Sequence, residues 1–154
     1  MKLRGFEEVK TPIIQIPTKL PLHGSQHSCA FDFYSKEKVA LTPKEKHRFT
    51  TDIKAYMQTN EYLEVVVRSS IGMKRGLRLT NQVAKVDADF YSNFSNDGNI
   101  SIELQNTTDK IVSIEIGERI AQGIFMEYLM ADEGSYSVPE DYIRTGGIGH
   151  TNEK

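Results

Sequence analysis

Short runs of alternating hydrophobic and polar residues recur along the chain, and segments with a helical period are scarce. Alternation with a period of two is typical of strands that bury one face. The clearest runs are residues 100–105 and 111–116, and the turn-forming residues 106–110 between them predict two neighbouring strands with a tight connection. Further strands are predicted at residues 12–16, 30–34, 47–55, 62–67, 84–91 and 119–128.

The remaining segments predict one helical turn, one loop and a tail. In residues 69–76 two serines precede the turn and a glycine closes it, which predicts a single short helix. Residues 91–99 are rich in Asn, Ser, Asp and Gly, which predicts a loop. We therefore expect an all-β fold over residues 1–131, a sandwich or barrel of the kind that is often a jelly roll. The polar, glycine-rich residues 132–154 are expected to form a flexible C-terminal arm.

Composition narrows the classes of function. A chain of 154 residues fits one domain. Its formal charge of −2 provides no basic field, so we expect no nucleic-acid partner. The single cysteine, Cys29, cannot form an internal disulfide, which suits a reducing compartment. No apolar run approaches the ~20 residues needed to span a bilayer, so we expect no membrane association and a cytoplasmic location.

Three acidic residues are candidates for chemistry. Asp87 and Asp89 alternate with apolar residues, which predicts that they share one face of a strand, where they could bind a metal or activate water. The alternative interpretation is an exposed strand face with acids near a turn. Asp32 lies in an apolar strand, where a carboxylate needs a partner or a role. A salt bridge to Arg or Lys and a functional role both remain open for it.

Three further segments could bind an anion or a ligand. Arg68, Ser69 and Ser70 place a guanidinium and two hydroxyls at the start of the predicted helix, although the serines could simply cap it. Gln122 could offer its amide to a ligand or face solvent from an edge strand. Arg144 precedes glycines that would let backbone N–H groups approach an anion, and a terminal linker would look the same. The four histidines show no pairing with cysteine that would indicate a zinc site.

In order and spacing, five segments resemble the motifs of the homotrimeric dUTP diphosphatase (dUTPase) family. These are residues 30–35, 67–70, 86–90, 117–122 and 144–149. The distance from Arg68 through Asn81 to Asp87 also resembles the uracil-binding hairpin of that family. The resemblance implies a jelly-roll subunit that forms a homotrimer with active sites at subunit interfaces. The long loop at residues 92–99 is compatible with the subgroup of Gram-positive bacteria and their phages.

The resemblance also implies a reaction and residue roles. dUTP would be hydrolysed to dUMP and pyrophosphate with Mg²⁺, which supplies dUMP for dTTP synthesis and keeps uracil out of DNA. Asp87 would activate the water that attacks the α-phosphorus, and Asp32 would lie near the Mg²⁺ and act through water. The substrate-binding set would be Arg68, Ser69, Ser70, Asn81, Lys85, Val86, Phe90, Gln122, Arg144, Ile148 and Gly149. In that set, Phe90 would stack on the deoxyribose, and Ile148 would cover uracil without the ring that a phenylalanine usually provides.

Two alternatives stay open. The segment around Glu103 resembles the catalytic strand of the dCTP deaminases, although those enzymes carry proline and glycine after the aspartate that Asp87 matches, where this chain has Ala88 and Asp89. The chain could also be a regulatory protein that binds a repressor through its dUTP-shaped surface, as some phage dUTPases are thought to do.

Overall fold

The computed structural model describes residues 2–132 and 142–147, and within them the chain is built mainly from short antiparallel strands. The strands are β1 (Gly5–Glu8), β2 (Leu22–His23), β3 (Phe31–Tyr34), β4 (Val39–Leu41), β5 (Lys46–Thr50), β6 (Ile53–Tyr56), β7 (Glu61–Val67), β8 (Leu77–Leu79), β9 (Ala84–Asp87), β10 (Ser101–Asn106), β11 (Val112–Ile114) and β12 (Arg119–Glu127). The all-β fold expected from the sequence is confirmed.

The strands form two main sheets and two small ones. The largest has the order β2-β3-β12-β7-β9, and the second has the order β5-β10-β8. The pairs β1-β6 and β4-β11 complete the set. Long β12 lies at the centre of the first sheet, between β3 and β7. The segment of β8, the turn after it and β9 crosses between the main sheets, because β8 pairs with β10 while β9 pairs with β7. We call this segment the β8-β9 hairpin, although its two strands belong to different sheets.

The core lies between the apolar faces of these strands. Phe33, Leu63, Ile102 and Leu104 are at most 1% exposed. The alternation predicted for residues 100–105 is confirmed, since every second residue of β10 is buried. The last of the buried series is Asn106, whose side-chain amide donates to the backbone oxygens of residues 41, 42 and 110. Burial of so polar a side chain is compatible with stability because its hydrogen bonds are made within the protein.

Four sequence predictions of local structure need correction. Residues 12–16 form no strand, since the backbone N–H groups of Ile13 and Ile14 donate to the carboxylate of Asp52. The predicted strand at 47–55 is divided into β5 and β6, because Asp52 adopts a left-handed φ of 57°. Strand β9 ends at Asp87, and a 3₁₀ turn follows over Ala88–Phe90. Finally, β10 and β11 are not neighbours, because β10 pairs with β5 and β8 while β11 pairs with β4.

The predicted helical turn is confirmed. It spans Ser70–Lys74 and is wound as a wide π-type turn. Gly76 follows it with a φ of 64°, in the left-handed region that glycine adopts without steric cost. None of the helices in residues 2–132 and 142–147 is long and apolar enough to cross a membrane. The division into a domain at residues 1–131 and an arm at 132–154 stays a prediction.

A buried ion pair holds the N-terminal segment against the core. Nζ of Lys36 lies 2.6 Å from Oδ2 of Asp52, with side chains 5% and 0% exposed. Asn99 donates a further hydrogen bond to Asp52. Burial raises the pKa of Asp52, but hydrogen bonds from Lys36 and from the backbone at residues 13 and 14 outweigh it and hold the pKa below its ordinary value. The pair therefore stabilises the fold above about pH 4, and this stabilisation is lost as the pH falls further.

Replacement of Asp52 by asparagine is expected to lower the free energy of unfolding by about 3 kcal/mol, because it leaves the Lys36 ammonium buried without a countercharge. Urea denaturation at pH 7 measures the change. The matched control is Glu115→Gln, which breaks the exposed pair with Lys38 and should cost at most about 1 kcal/mol. Equal effects of the two substitutions would contradict the importance of the buried pair.

Candidate functional site

Asp32 is the centre of a cluster of charged side chains on the large sheet. Its carboxylate is buried, with Oδ1 2.8 Å from Nε of Arg68 and Oδ2 3.3 Å from Nη1 of Arg119. Gln122 lies directly opposite Asp32 in the pairing of β3 with β12. We call Asp32, Arg68, Arg119 and Gln122 the arginine cluster. The salt bridge that the sequence left open for Asp32 is present, and it orients two guanidinium groups that can bind an anion.

A β-bulge in β12 makes this cluster possible. Arg119 pairs with Tyr34 and Ala121 pairs with Phe33, so two steps along β12 match one step along β3. Residues three apart on a regular strand face opposite sides of the sheet. The extra residue brings Arg119 and Gln122 to the same face, where Asp32 lies. Bulges commonly re-aim side chains in this way beside functional sites.

The serines that follow Arg68 do not cap the short helix. Ser69 is in the N-cap position before the helix, but its side chain makes no capping hydrogen bond. The N–H groups of Ile71 and Gly72 both donate to the backbone oxygen of Arg68. Those two donors are therefore unavailable to an anion. What the segment can offer is the two serine hydroxyls, next to the guanidinium of Arg68.

A second group of predicted residues lines a cavity of about 520 Å³ beside the β8-β9 hairpin. Its walls include Asn81, Lys85, Val86, Asp87, Phe90 and Arg144, all of them candidates from the sequence. We call this the hairpin pocket. Asn81 is in the turn between β8 and β9, so its side chain is exposed at the mouth of the pocket. The side chain of Lys85 instead contacts Glu64 and Tyr62, which leaves its backbone to face the pocket.

The arm reaches the same pocket. Nη1 of Arg144 lies 2.9 Å from Oδ2 of Asp87 and 2.8 Å from Oδ1 of Asp89. Its guanidinium carbon is 5.2 Å from the centroid of the Phe90 ring, within the range of a cation–π contact. The carboxylates of Asp87 and Asp89 thus bind the same guanidinium group. Asp89 is placed there by a 3₁₀ turn rather than by a continuous strand. Ile148 and Gly149, also predicted to bind substrate, lie outside the described residues.

The arginine cluster and the Asp87 carboxylate lie far apart within one chain. Asp87 pairs with Tyr62 near the beginning of β7, whereas Arg68 follows the last residue of that strand. A strand rises by about 3.3 Å per residue, so roughly 20 Å of β7 separates the two positions. The ion pair with Asp32 also holds the Arg68 side chain at its own end of the sheet. Within one copy of the chain, the arginine cluster and the Asp87 carboxylate therefore do not meet.

Several pocket residues were not expected from the sequence. Arg48, Asn96, Asn99 and Ile100 line the hairpin pocket. Arg48 lies directly opposite Glu103 in the pairing of β5 with β10, and the two side chains form an ion pair at 3.1 Å. Only the register of these strands places Arg48 at the pocket. The richness of asparagine at residues 93–99 was visible, but it indicated a loop without indicating what the loop adjoins.

In the part of the chain that the structure describes, side chains alone do not form a cage for a metal ion. Among residues 2–132 and 142–147 there is no group of three or more His, Cys, Asp and Glu residues that could hold one. Both oxygens of Asp32 are engaged by arginines. A Mg²⁺ ion commonly keeps several waters and binds through phosphates and one or two carboxylates. The cluster fits a metal that arrives with a polyphosphate and meets Asp32 through water.

Comparison with known proteins gives consistent results. The family model for dUTPase matches residues 17–152. A deoxyuridine 5'-triphosphate nucleotidohydrolase from Lactococcus lactis is 41% identical over 151 residues, which cover 98% of this chain and 99% of that protein. The enzyme of the same name from Actinobacillus pleuropneumoniae is 30% identical over 142 residues, with 88% of each chain covered.

Solved structures agree with the sequence relatives. A crystal structure of dUTPase from Streptococcus mutans superposes with a TM-score of 0.73 at 36% identity and covers 83% of this chain and 98% of that one. The dUTPase of Staphylococcus bacteriophage 80alpha with dUPNHPP superposes with a TM-score of 0.70 over 97% of this chain and 98% of that one. At 19% identity it supports the fold alone. The jelly-roll fold and the Gram-positive or phage type are both in agreement with these matches, and the chain belongs to the dUTPase family.

Proposed function

We propose that this protein hydrolyses dUTP to dUMP and pyrophosphate, as a dUTP diphosphatase. Its relatives carry the name deoxyuridine 5'-triphosphate nucleotidohydrolase, so the enzyme class expected from the sequence, a hydrolase, is confirmed. The observation that carries the proposal is the hairpin pocket, where an amide, a carboxylate, an aromatic ring and the arm arginine surround one cavity. The amide can hydrogen-bond the edge of a nucleobase, the carboxylate can take a proton from water, and the arginine can bind phosphate.

Asp87 is the general base in this proposal. Its carboxylate is about 61% exposed, so water has access to it. The carboxylate takes a proton from a water molecule whose oxygen bonds to the α-phosphorus, and the bond from that phosphorus to the bridging oxygen breaks. Pyrophosphate leaves with the bond's electron pair. A general base must lie about 2.6–3.2 Å from the water whose proton it takes, which sets how closely the substrate must be held.

The remaining predicted residues hold the nucleotide. Arg68, Gln122 and the hydroxyls of Ser69 and Ser70 bind the phosphates, and positive charge there stabilises the charge that develops on the leaving group. Asn81 and the backbone of Lys85 and Val86 hydrogen-bond the uracil edge, and Phe90 packs against the deoxyribose. Arg144 of the arm adds a contact to the γ-phosphate, and Ile148 and Gly149 cover the base.

The working enzyme is proposed to be a homotrimer with active sites between subunits. The roughly 20 Å of strand between Asp87 and Arg68 supports this arrangement, because a water held by Asp87 is remote from phosphates held by Arg68 of the same chain. A second copy could place its arginine cluster against the hairpin pocket of the first. Closed cyclic assembly is the common way in which identical chains share such sites.

Mg²⁺ is proposed to enter with the triphosphate, whose charge it neutralises when bound. The part played by this chain is to hold the phosphates through the guanidinium groups that Asp32 orients, and to contact the ion from Asp32 through water. The proposal also includes a cytoplasmic location and two roles for the reaction. It supplies dUMP for dTTP synthesis, and it removes dUTP that would place uracil in DNA. Binding of a repressor or another regulatory protein stays a prediction.

Deamination of dCTP is not favoured. Glu103 forms an ion pair with Arg48 at 3.1 Å. A hydrogen bond from Thr80 and a smaller contribution from Arg48 outweigh burial and hold the pKa of Glu103 below its ordinary value. A glutamate that transfers protons works best when its pKa is raised toward the operating pH. The pKa of Glu103 is instead lowered.

We expect pyrophosphate release from dUTP in the presence of Mg²⁺, and release that is lower by at least about 10²-fold from dCTP, dTTP and UTP. Chelation by EDTA should abolish the release from dUTP. The four nucleotides are assayed in parallel, with ammonia release from dCTP measured alongside. Ammonia from dCTP would favour the deaminase alternative, and inactivity on all four by folded protein would refute the proposed hydrolysis.

A further inference from the structure

Arg144 makes several polar contacts, and two of them are to carboxylates at the end of the β8-β9 hairpin. Its Nη1 bridges one oxygen of Asp87 and one of Asp89, and its Nε donates to the backbone oxygen of Gly146. The side chain of Arg144 is 14% exposed, whereas those of Asp87 and Asp89 are 61% and 60% exposed. The arginine is thus enclosed while the carboxylates that bind it remain accessible to water.

Charge and packing both favour this position of the arm. Burial alone would lower the pKa of Arg144, but hydrogen bonds to Asp89 and Asp87 outweigh it and hold the pKa above its ordinary value. The guanidinium lies over the ring of Phe90, and Gly147 follows so closely that an added Cβ would lie 3.2 Å from that ring. The arm therefore contacts Phe90 both through Arg144 and through Gly147.

We propose that Asp89 is a positioning residue that, with Asp87 and Phe90, forms a docking site for Arg144 while no nucleotide is bound. This inference rests on the proposed function, in which Asp87 is the general base and Arg144 binds the γ-phosphate. Asp89 takes no part in the reaction. It acts through Arg144, by stabilising the position of the arm that substrate has to displace.

The docked arm and the reaction compete for Asp87. Oδ2 of Asp87 accepts a hydrogen bond from Arg144 and carries the countercharge of its guanidinium. An oxygen that already accepts this hydrogen bond is less accessible to the attacking water. When the triphosphate draws Arg144 away, the base is released and the phosphate gains a cation. Asp89 therefore opposes nucleotide binding, since it stabilises only the docked arm.

The test compares Asp89→Asn with Asp109→Asn, a control that removes the same charge from the exposed turn after β10. Two readouts are made on the full-length protein. The first is the rate of trypsin cleavage after Arg144 without nucleotide, followed by the mass of the released peptide. The second is the KM and kcat for dUTP.

With Asp89→Asn we expect cleavage after Arg144 to be faster and KM to be lower, each by about two- to fivefold, at unchanged kcat. Asp109→Asn should match the unmodified protein in both readouts. Unchanged cleavage, an unchanged KM, or a kcat lowered by orders of magnitude would overturn the inference. If the unmodified protein does not hydrolyse dUTP, the proposed function fails, and the cleavage rates alone still decide whether Asp89 holds the arm.

Discussion

Replacement of Asp87 by asparagine is expected to lower the turnover of dUTP by about 10²- to 10⁴-fold, the usual cost of removing a positioned general base. Asparagine has the same shape as aspartate but cannot take a proton from water. The side chain is largely exposed and is not part of the core, so the fold should be unaffected. Pyrophosphate release under saturating dUTP measures the effect on kcat.

Two controls separate the loss of a base from other effects. Binding of the non-hydrolysable analogue dUPNHPP should be retained by Asp87→Asn, or become slightly tighter, since one negative charge near the phosphates is removed. Asp89→Asn removes the neighbouring carboxylate, which also contacts Arg144, and should keep kcat. Near-normal turnover in Asp87→Asn, or an equal loss in both variants, would refute the assignment of Asp87 as the base.

The strands could be predicted where one face is buried and the other is exposed. In β10 the alternation of the sequence matches the burial of successive side chains. Residues 12–16 contain three isoleucines, but the backbone N–H groups of Ile13 and Ile14 donate to the carboxylate of Asp52. Asp52 itself adopts a left-handed φ and ends β5. A polar side chain that binds a distant backbone segment leaves no periodic signal in the sequence.

Strand neighbours were harder to predict than strands. Residues 106–110 have the composition of a hairpin turn, yet β10 and β11 belong to different sheets. Asn106 explains the difference, because its buried amide bonds to the oxygens of Leu41 and Lys110. That contact directs the chain from β10 toward β4, the partner of β11. Local composition predicts that the chain turns, but long-range hydrogen bonds decide where it goes.

The candidate site was predicted in its segments but not in its connections. Asp87 and Arg144 were chosen for their residue types and Phe90 from the family resemblance, and the structure places all three around one pocket. Arg119 was not chosen, because a bulge turns it toward Asp32 and a bulge cannot be read from the alternation. Arg48 was missed because its place depends on the register of β5 with β10. Both residues required the pairing of strands that are distant in the sequence.

Activity is expected to return when two inactive variants assemble together. Asp87→Asn lacks the base, and Arg68→Gln lacks a phosphate-binding guanidinium while Arg119 still pairs with Asp32. If a site takes Arg68 from one chain and Asp87 from its neighbour around a ring of three, every mixed trimer contains one intact site. Mixed trimers should then show about one third of the unmodified activity, whichever variant contributes two chains.

The measurement uses the two variants produced together with different affinity tags and purified through both tags in turn. The control carries both substitutions in one chain and is produced together with the unmodified chain. By the same geometry this mixture should keep about one third of the activity in trimers with two unmodified chains and none in trimers with one, so its activity depends on the composition of the mixture. A sharper reference is therefore each single variant alone, which should stay inactive.

Because roughly 20 Å of β7 separates Asp87 from Arg68 within a chain, the two-tag assembly of the single variants has no route to activity except across an interface. Mixed assemblies as inactive as either variant would mean that each site is built within one chain, and the proposed arrangement would be wrong.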